Sequence, residues 1–143
     1  CRDLVERLTE LGVRSITPLV ARRTQRSPSD SLLDKLTRCV VEASKQCGRN
    51  HLMEIHSVTP ADEYFTNVGN GMKLIAHPSN DAATLGSVTK GESFVAAVGP
   101  EGGWTDEEVD LARRHDFRPI GLGSRTYRIE TAAVAIAAVL IGQ

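Results

Sequence analysis

Cysteine and histidine are scarce in this chain, and neither falls in a metal-binding or disulfide pattern. Its 143 residues include three cysteines, which form no CxxC pair, and four histidines, which show no HExxH or mixed Cys/His spacing. An odd number of scattered thiols is typical of a reducing compartment, so the sequence predicts neither a disulfide framework nor a metal site. We expect a cytoplasmic protein.

Long hydrophobic runs are absent as well. A membrane-spanning helix needs about 18 or more apolar residues, and the most apolar segment, residues 132–141, is shorter than that. The start of the chain lacks the basic and apolar regions of a signal peptide. From these two observations we expect no contact with membranes. Because Cys1 stands where an initiator Met is expected, we also expect the chain to be a piece of a longer protein.

An excess of charge of one sign is also missing overall, but the charge is unevenly spread. Residues 1–49 hold 10 Lys and Arg against 6 Asp and Glu, whereas residues 50–143 hold 7 against 12, so the halves carry +4 and −5. A local basic patch is suited to phosphate contact. A solvated helix face explains the same charges equally well.

What the chain does contain is an alternation of helix and strand patterns. Apolar spacing and capping residues predict helices at residues 2–11, 30–48, 60–68, 105–115 and 130–142. Apolar runs ending at Gly or Pro predict strands at residues 13–20, 51–55, 72–77, 94–98 and 117–122. Residues 78–92 are polar and predict a surface connection with at most one short helix. About five strands alternating with helices favour a single α/β domain, with a mostly parallel sheet and helices on both faces.

The last predicted helix has no polar face between Ala132 and Ile141. A helix that is apolar all round must be covered all round. In a domain of this size one side packs on the sheet, so the other side predicts a second subunit and hence a homodimer.

Two predicted strands end at glycine-rich loops. Residues 94–98 run into Gly99-Pro100-Glu101-Gly102-Gly103, and Thr105 with Glu108 forms a capping box for the next helix. Residues 117–122 end at Gly123, which is followed by a polar, arginine-containing loop. Ligands of α/β sheets bind at the carboxyl ends of neighbouring strands. The two loops therefore predict one binding site, and the absence of Lys-Ser/Thr after the glycines excludes a P-loop.

The two loops also resemble a known family. Gly99 to Gly103, followed by an acidic capped helix and Leu122-Gly123-x-Arg125-x-x-Arg128-x-Glu130-Thr131-Ala132, is similar to the RsmE family of ribosomal RNA uridine-N3 methyltransferases, in the SPOUT superfamily. Residues 9–13 and 42–49 match upstream segments of the family. The resemblance implies a deep trefoil knot in the C-terminal half, dimerisation through that region, S-adenosylmethionine as cofactor and small-subunit ribosomal RNA as partner.

The sequence departs from the family in three respects. Thr126-Tyr127 replaces the usual Ile-Leu, and Trp104 replaces the commoner Phe. The family's N-terminal RNA-binding β-barrel has no counterpart, so residues 1–143 predict a single SPOUT domain that binds S-adenosylmethionine but holds RNA weakly. Trp104 suits the core better than a stacking role, and Tyr127 suits either.

The resemblance implies a set of site residues. Cofactor-binding candidates are Ala76, His77, Gly99, Pro100, Glu101, Gly102, Gly103, Ile120, Leu122, Gly123, Tyr127 and Arg128. Candidates for catalysis are Arg49, Arg125, Arg128 and Glu130.

Guanidinium groups suit the family's reaction because negative charge develops on the uridine carbonyls as the N3 proton leaves. Surface ion pairs remain an alternative for the arginines. For Glu130 the alternative is a favourable charge at a helix N-terminus, and no dedicated general base stands out. Two other functions stay open: methylation of another RNA base or of tRNA, and a non-catalytic RNA-binding module.

Overall fold

Five α-helices and eight short β-strands make up the part of the chain that the computed structural model describes, residues 1–88 and 93–141. The helices are α1 Arg2–Glu10, α2 Asp30–Cys47, α3 Ala61–Asn67, α4 Asp106–Arg114 and α5 Ile129–Ile141. The strands are β1 Ser15–Ile16, β2 Leu19–Val20, β3 Glu54–Ile55, β4 Thr59–Pro60, β5 Met72–Ala76, β6 Ala83–Thr84, β7 Phe94–Val98 and β8 Arg118–Gly121.

The main sheet has four strands in the order β6-β8-β5-β7, and every neighbouring pair is parallel. One row crosses the whole sheet: Ala76 of β5 is level with Val98 on one side and with Ile120 on the other, and Ile120 is level with Ala83. Because all strands point the same way, the loops that follow them leave from one edge of the sheet.

The predicted strand at residues 13–20 is divided in two. Strand β1 pairs in parallel with β3, and β2 pairs with β4. Pro18 lies between the two halves and has no N–H to donate, but its carbonyl accepts from Thr59 N at 2.9 Å. Ile16 pairs with Ile55 and Leu19 with Thr59, so the segment that joins β3 to β4 has one residue more than the segment that joins β1 to β2. The parallel α/β class is thus confirmed, whereas the count of about five strands is replaced by four strands and two separate pairs.

Helices cover both faces of the main sheet. Consecutive residues of a strand point to opposite faces, and Leu74 and Ile75 of β5 accordingly belong to different core clusters. Ile75 packs with residues of α3 and α4, including Phe65 and Val109, whereas Leu74 packs with residues of α5. This confirms the predicted two-sided packing.

The apolar helix α5 is only partly covered by the rest of the chain. Ala132, Ile136, Ala137 and Leu140 are buried, while Val139 remains 38% exposed. None of the helices in the described residues has the length and apolarity needed to cross a membrane.

The predicted surface connection at residues 78–92 contains a strand that the sequence did not predict, β6. Its predicted short helix is one 3₁₀ turn at Leu85–Ser87. The remainder of that prediction, residues 89–92, lies outside the described residues.

Candidate functional site

The carboxyl edge of the main sheet brings four loops together. They follow β5 at residue 77, β6 at residue 85, β7 at residue 99 and β8 at residue 122. The two glycine loops predicted from the sequence are therefore at the same edge of the sheet. Strand β5 ends beside β8, since His77 N donates to Ile120 O at 3.1 Å.

The glycine turn after β7 is closed by a hydrogen bond from Gly103 N to Pro100 O of 2.8 Å. Trp104, directly after it, is only 4% exposed, and its ring lies 5.4 Å from that of Phe65. The expectation that Trp104 belongs to the core is confirmed. A Cβ at Gly99 would lie 3.0 Å from the indole Nε1 of Trp104, so the first glycine is needed for this packing.

The loop after β8 forms part of a cavity of about 340 Å³. Gly123 has a φ of +104°, which a residue with a side chain rarely adopts, and the space where its Cβ would lie is open. The cavity is lined by Thr84, Leu85, Gly86, Gly121, Leu122, Gly123, Tyr127 and Ala135. Its volume lies in the range of roughly 300–1,000 Å³ that small-molecule sites occupy.

The predicted cofactor residues fall into three groups. Leu122, Gly123 and Tyr127 line the cavity, and Ile120 is buried at the end of the strand that leads to it. Ala76 and His77 occupy the end of the neighbouring strand.

Five of the six remaining candidates form the third group; the sixth, Arg128, is exposed and is not part of the cavity lining. The glycine turn lies at the end of the next strand along the sheet, β7, and its residues are not part of the cavity lining. They are Gly99, Pro100, Glu101, Gly102 and Gly103.

Five cavity residues are not among the cofactor-binding candidates: Thr84, Leu85, Gly86, Gly121 and Ala135. The first three lie in a stretch whose polar composition predicted a surface connection, and Ala135 lies in a helix where every residue is apolar. The pairing of β6 with β8 brings the first three to the site, so no local signal identifies them.

The arginines of the second loop face solvent. Arg125 and Arg128 are exposed, and neither forms an ion pair within residues 1–88 and 93–141. The alternative of a surface salt bridge therefore has no partner in the described part of the chain. Glu130 is exposed in the first turn of α5, where a carboxylate interacts favourably with the helix dipole.

Arg49 has a different environment. Its guanidinium donates to Thr9 O at 3.0 Å and to Val13 O at 2.7 Å, where the chain leaves α1. These hydrogen bonds join the end of α2 to the end of α1, so the guanidinium has a structural role in the fold. A role for Arg49 in chemistry stays a prediction.

The loop after β5 is held against α4 by a bidentate ion pair. Arg113 Nη1 and Nη2 donate to the two carboxylate oxygens of Asp81 at 2.7 and 2.9 Å, and Ser79 Oγ donates to the same carboxylate at 2.8 Å. These donors hold the pKa of Asp81 well below its usual range. The pair fixes the path of the loop between β5 and β6.

Two other features of the surface do not suggest a site. A depression of about 500 Å³ along α4 is lined by four charged side chains, those of Glu107, Asp110, Arg113 and Arg114, and includes neither glycine loop. Within the residues that the structure describes, no three His, Cys, Asp or Glu side chains are grouped as metal ligands.

The domain has parallel strands with helices on both faces, and two glycine loops and a cavity of about 340 Å³ lie at one edge of its sheet. These features define a small-molecule-binding α/β domain. The model of the RNA methyltransferase domain family matches residues 1–141. The chain belongs to that family, and its resemblance to the RsmE enzymes is confirmed.

Curated relatives carry the same kind of name. The chain is 33% identical over 142 residues to ribosomal RNA small subunit methyltransferase E of Synechocystis, covering 94% of this chain and 47% of that protein. It is 34% identical over 132 residues to the enzyme of the same name from Rickettsia conorii, covering 88% and 52%. The chain thus spans about half the length of these relatives.

Two solved structures share the fold and hold the cofactor predicted from the sequence. Ribosomal RNA small subunit methyltransferase E from Neisseria gonorrhoeae, bound to S-adenosylmethionine, has a TM-score of 0.83 and 31% identity over 96% of this chain and 59% of that one. A Legionella pneumophila protein in complex with the same cofactor has a TM-score of 0.89 and 33% identity over 97% and 59%.

Proposed function

We propose that this domain is an S-adenosylmethionine-dependent RNA methyltransferase that transfers a methyl group to N3 of a uridine in small-subunit ribosomal RNA, in the cytoplasm. The observation that carries the proposal is the cavity at the carboxyl edge of the sheet. Two of its lining residues, Leu122 and Gly123, belong to the motif that resembles the RsmE enzymes, and a third, Tyr127, lies in the same loop. The names of the curated relatives support the substrate.

The apolar lining of the cavity suits the flat face of a nucleoside base. Leu85, Leu122, Tyr127 and Ala135 supply apolar surface, and the open space at Gly123 allows a ligand to approach the backbone closely. We assign the adenosine part of the cofactor to this cavity. Bound S-adenosylmethionine supplies an activated methyl group, so the protein contributes position and charge.

The exposed arginines of the same loop would serve the acceptor. Loss of the uridine N3 proton places negative charge on the two neighbouring carbonyl oxygens, and a guanidinium directed at them stabilises that charge. Arg125 and Arg128 lie on either side of the cavity residue Tyr127 in the sequence. Neither forms an ion pair in the described residues, so neither has to leave a partner to contact RNA. Glu130 is assigned to the start of α5 or to orienting one of these arginines.

We also propose the trefoil knot and the homodimer of the RsmE family. The knot is supported by the strand order, because β8 lies between β5 and β6, which precede it in the chain and are joined by residues 77–82. The dimer is supported by the apolar helix α5, whose Val139 is 38% exposed. A second subunit packed on α5 would cover that surface.

The test is methyl transfer from radiolabelled S-adenosylmethionine to small ribosomal subunits, followed by nucleoside analysis. We expect label in N3-methyluridine and saturable cofactor binding close to one per chain. Label in another nucleoside, or in tRNA, would replace the substrate assignment and keep the cofactor. Absence of cofactor binding by the folded chain would instead support a non-catalytic RNA-binding module.

A further inference from the structure

A short turn after β2 packs against the glycine turn of the candidate site. Thr24 N donates to Ala21 O at 3.1 Å, and Ala21 N donates to the hydroxyl of Thr24 at 2.9 Å, so residues 21–24 form a closed turn. Ala21 is 7% exposed and belongs to the same core cluster as Trp104. The turn is therefore part of the packed structure next to residues 99–103.

The side chain of Arg23 lies along the glycine turn. Its Nη1 donates to Gly102 O at 2.9 Å and approaches Trp104 O at 3.4 Å. A Cβ at Gly102 would lie 3.3 Å from both Cβ and Cδ of Arg23. The arginine stem thus occupies the space that a side chain at position 102 would need, and its guanidinium fixes the direction of the Gly102 carbonyl.

The turn itself is anchored independently of Arg23. Arg22 N donates to Glu108 Oε1 at 2.7 Å, and Glu108 is 2% exposed, with its other oxygen accepting from Thr105 N at 2.8 Å. This anchor uses the backbone of Arg22 and not its side chain. Within residues 1–88 and 93–141, the one ion pair of the Arg22 guanidinium is with the exposed Glu107, at 3.2 Å.

We propose that Arg23 is a positioning residue for the cofactor, which holds the Gly102 carbonyl and thereby the glycine turn in the conformation that binds S-adenosylmethionine. The inference rests on the proposed function, because it assigns the turn to the cofactor. Arg23 acts through Gly102 and does not itself contact the methyl group. Its partner, Gly102, lies 79 positions later in the chain, so sequence proximity cannot reveal the pair.

The experiment measures the Kd for S-adenosylmethionine by calorimetric titration of four proteins: the unaltered chain, Arg23→Ala, Arg23→Gln and Arg22→Ala. We expect Kd to rise roughly tenfold in both Arg23 variants, because one charge-assisted hydrogen bond is lost. Arg22→Ala removes the same charge from the same turn but keeps the backbone anchor, and we expect its Kd to equal that of the unaltered chain. Arg23→Gln keeps most of the side-chain stem, so it tests the contact even where Arg23→Ala lowers stability.

Steady-state kinetics add a second measurement, KM for S-adenosylmethionine, which would not change selectively if Arg23 only stabilised the fold. We expect KM for S-adenosylmethionine to rise in the Arg23 variants while the melting temperature and KM for RNA stay close to those of the unaltered chain. An unchanged Kd in both Arg23 variants overturns the inference, as does an equal rise in Arg22→Ala, which would indicate a general charge effect. If the unaltered chain binds no cofactor, the proposed function fails and the inference fails with it.

Discussion

Gly99 lies against the indole of Trp104, with the position of a Cβ at Gly99 only 3.0 Å from the indole Nε1 and 3.1 Å from Cε2. The ring cannot move away easily, because Trp104 is 4% exposed and packs on Phe65. This glycine opens the turn of the candidate site, yet its small size is used by the core. The turn is thus held in place from beneath by an aromatic cluster.

We therefore expect Gly99→Ala to destabilise the fold. A methyl group at this position overpacks the indole, which typically costs about 1–3 kcal/mol of unfolding free energy. Urea unfolding followed by tryptophan fluorescence measures the change, since the chain has a single tryptophan.

The matched control is Gly69→Ala. A Cβ at Gly69 meets no atom within 4 Å, so we expect its unfolding free energy to change by less than about 1 kcal/mol. Equal stability of the two variants would show that the indole adapts to the added methyl group and would contradict the assigned role of Gly99.

The sequence predicted those features that depend on neighbours in the chain. Strand β7 has the predicted bounds, residues 94–98, and the capping box is present, with Glu108 N donating to Thr105 Oγ1 at 3.2 Å. Such signals are local, because a cap needs only residues three apart and a buried strand needs only an apolar run. The fold class followed from their alternation.

Features that depend on distant parts of the chain were not predictable. Strand β6 has two residues and pairs with β8, which lies more than thirty positions later, so its polar surroundings concealed it. A role of Arg49 in chemistry is predicted from the family pattern and stays a prediction; its hydrogen bonds to the carbonyls of Thr9 and Val13 are visible only in the fold. Residue type indicated a charge, and only the fold showed what the charge contacts.

The two arginines of the second loop give a prediction about activity. We expect Arg125→Ala and Arg128→Ala each to lower kcat for methyl transfer by roughly 10²–10³-fold, the usual cost of removing one group that stabilises developing negative charge. Their melting temperatures should stay unchanged, because both side chains are exposed. Methyl-transfer kinetics and thermal unfolding measure the two effects.

Arg118→Ala is the control for this pair. Arg118 is also exposed, but it begins β8 and so lies at the opposite edge of the sheet from the loop. We expect its kcat to equal that of the unaltered protein. If Arg128→Ala retained full activity, Arg128 would no longer belong to the proposed site.

The Asp81–Arg113 pair gives a prediction about pH. Its hydrogen bonds lower the pKa of Asp81 below the ordinary value of 3.8. A carboxylate whose pKa is depressed by folding contributes stability that is full above the unfolded-state pKa and is lost as the pH falls toward the folded-state pKa. The stability difference between the unaltered chain and Asp81→Asn should therefore be constant above about pH 5 and shrink as the pH falls below about 4.

Urea unfolding of both proteins at a series of pH values measures this difference. Arg113→Gln removes the other partner and should give the same loss on acidification. A difference that stayed constant down to pH 2 would show that the pair is not formed in solution.

The cavity residue Gly86 gives the sharpest test of where the cofactor binds, because sequence and family resemblance did not identify it. Gly86 lines the cavity and has no atom within 4 Å of its Cβ position, and its φ lies outside the left-handed region. A valine at this position would fill cavity space at little cost to folding, so we expect Gly86→Val to weaken S-adenosylmethionine binding by tenfold or more, about 1.4 kcal/mol.

Gly69→Val places the same side chain in open space away from the cavity lining, and its Kd should be unchanged. Calorimetric titration of both variants decides the matter: equal affinities would mean that the adenosine part binds outside this cavity, next to the turn at residues 99–103.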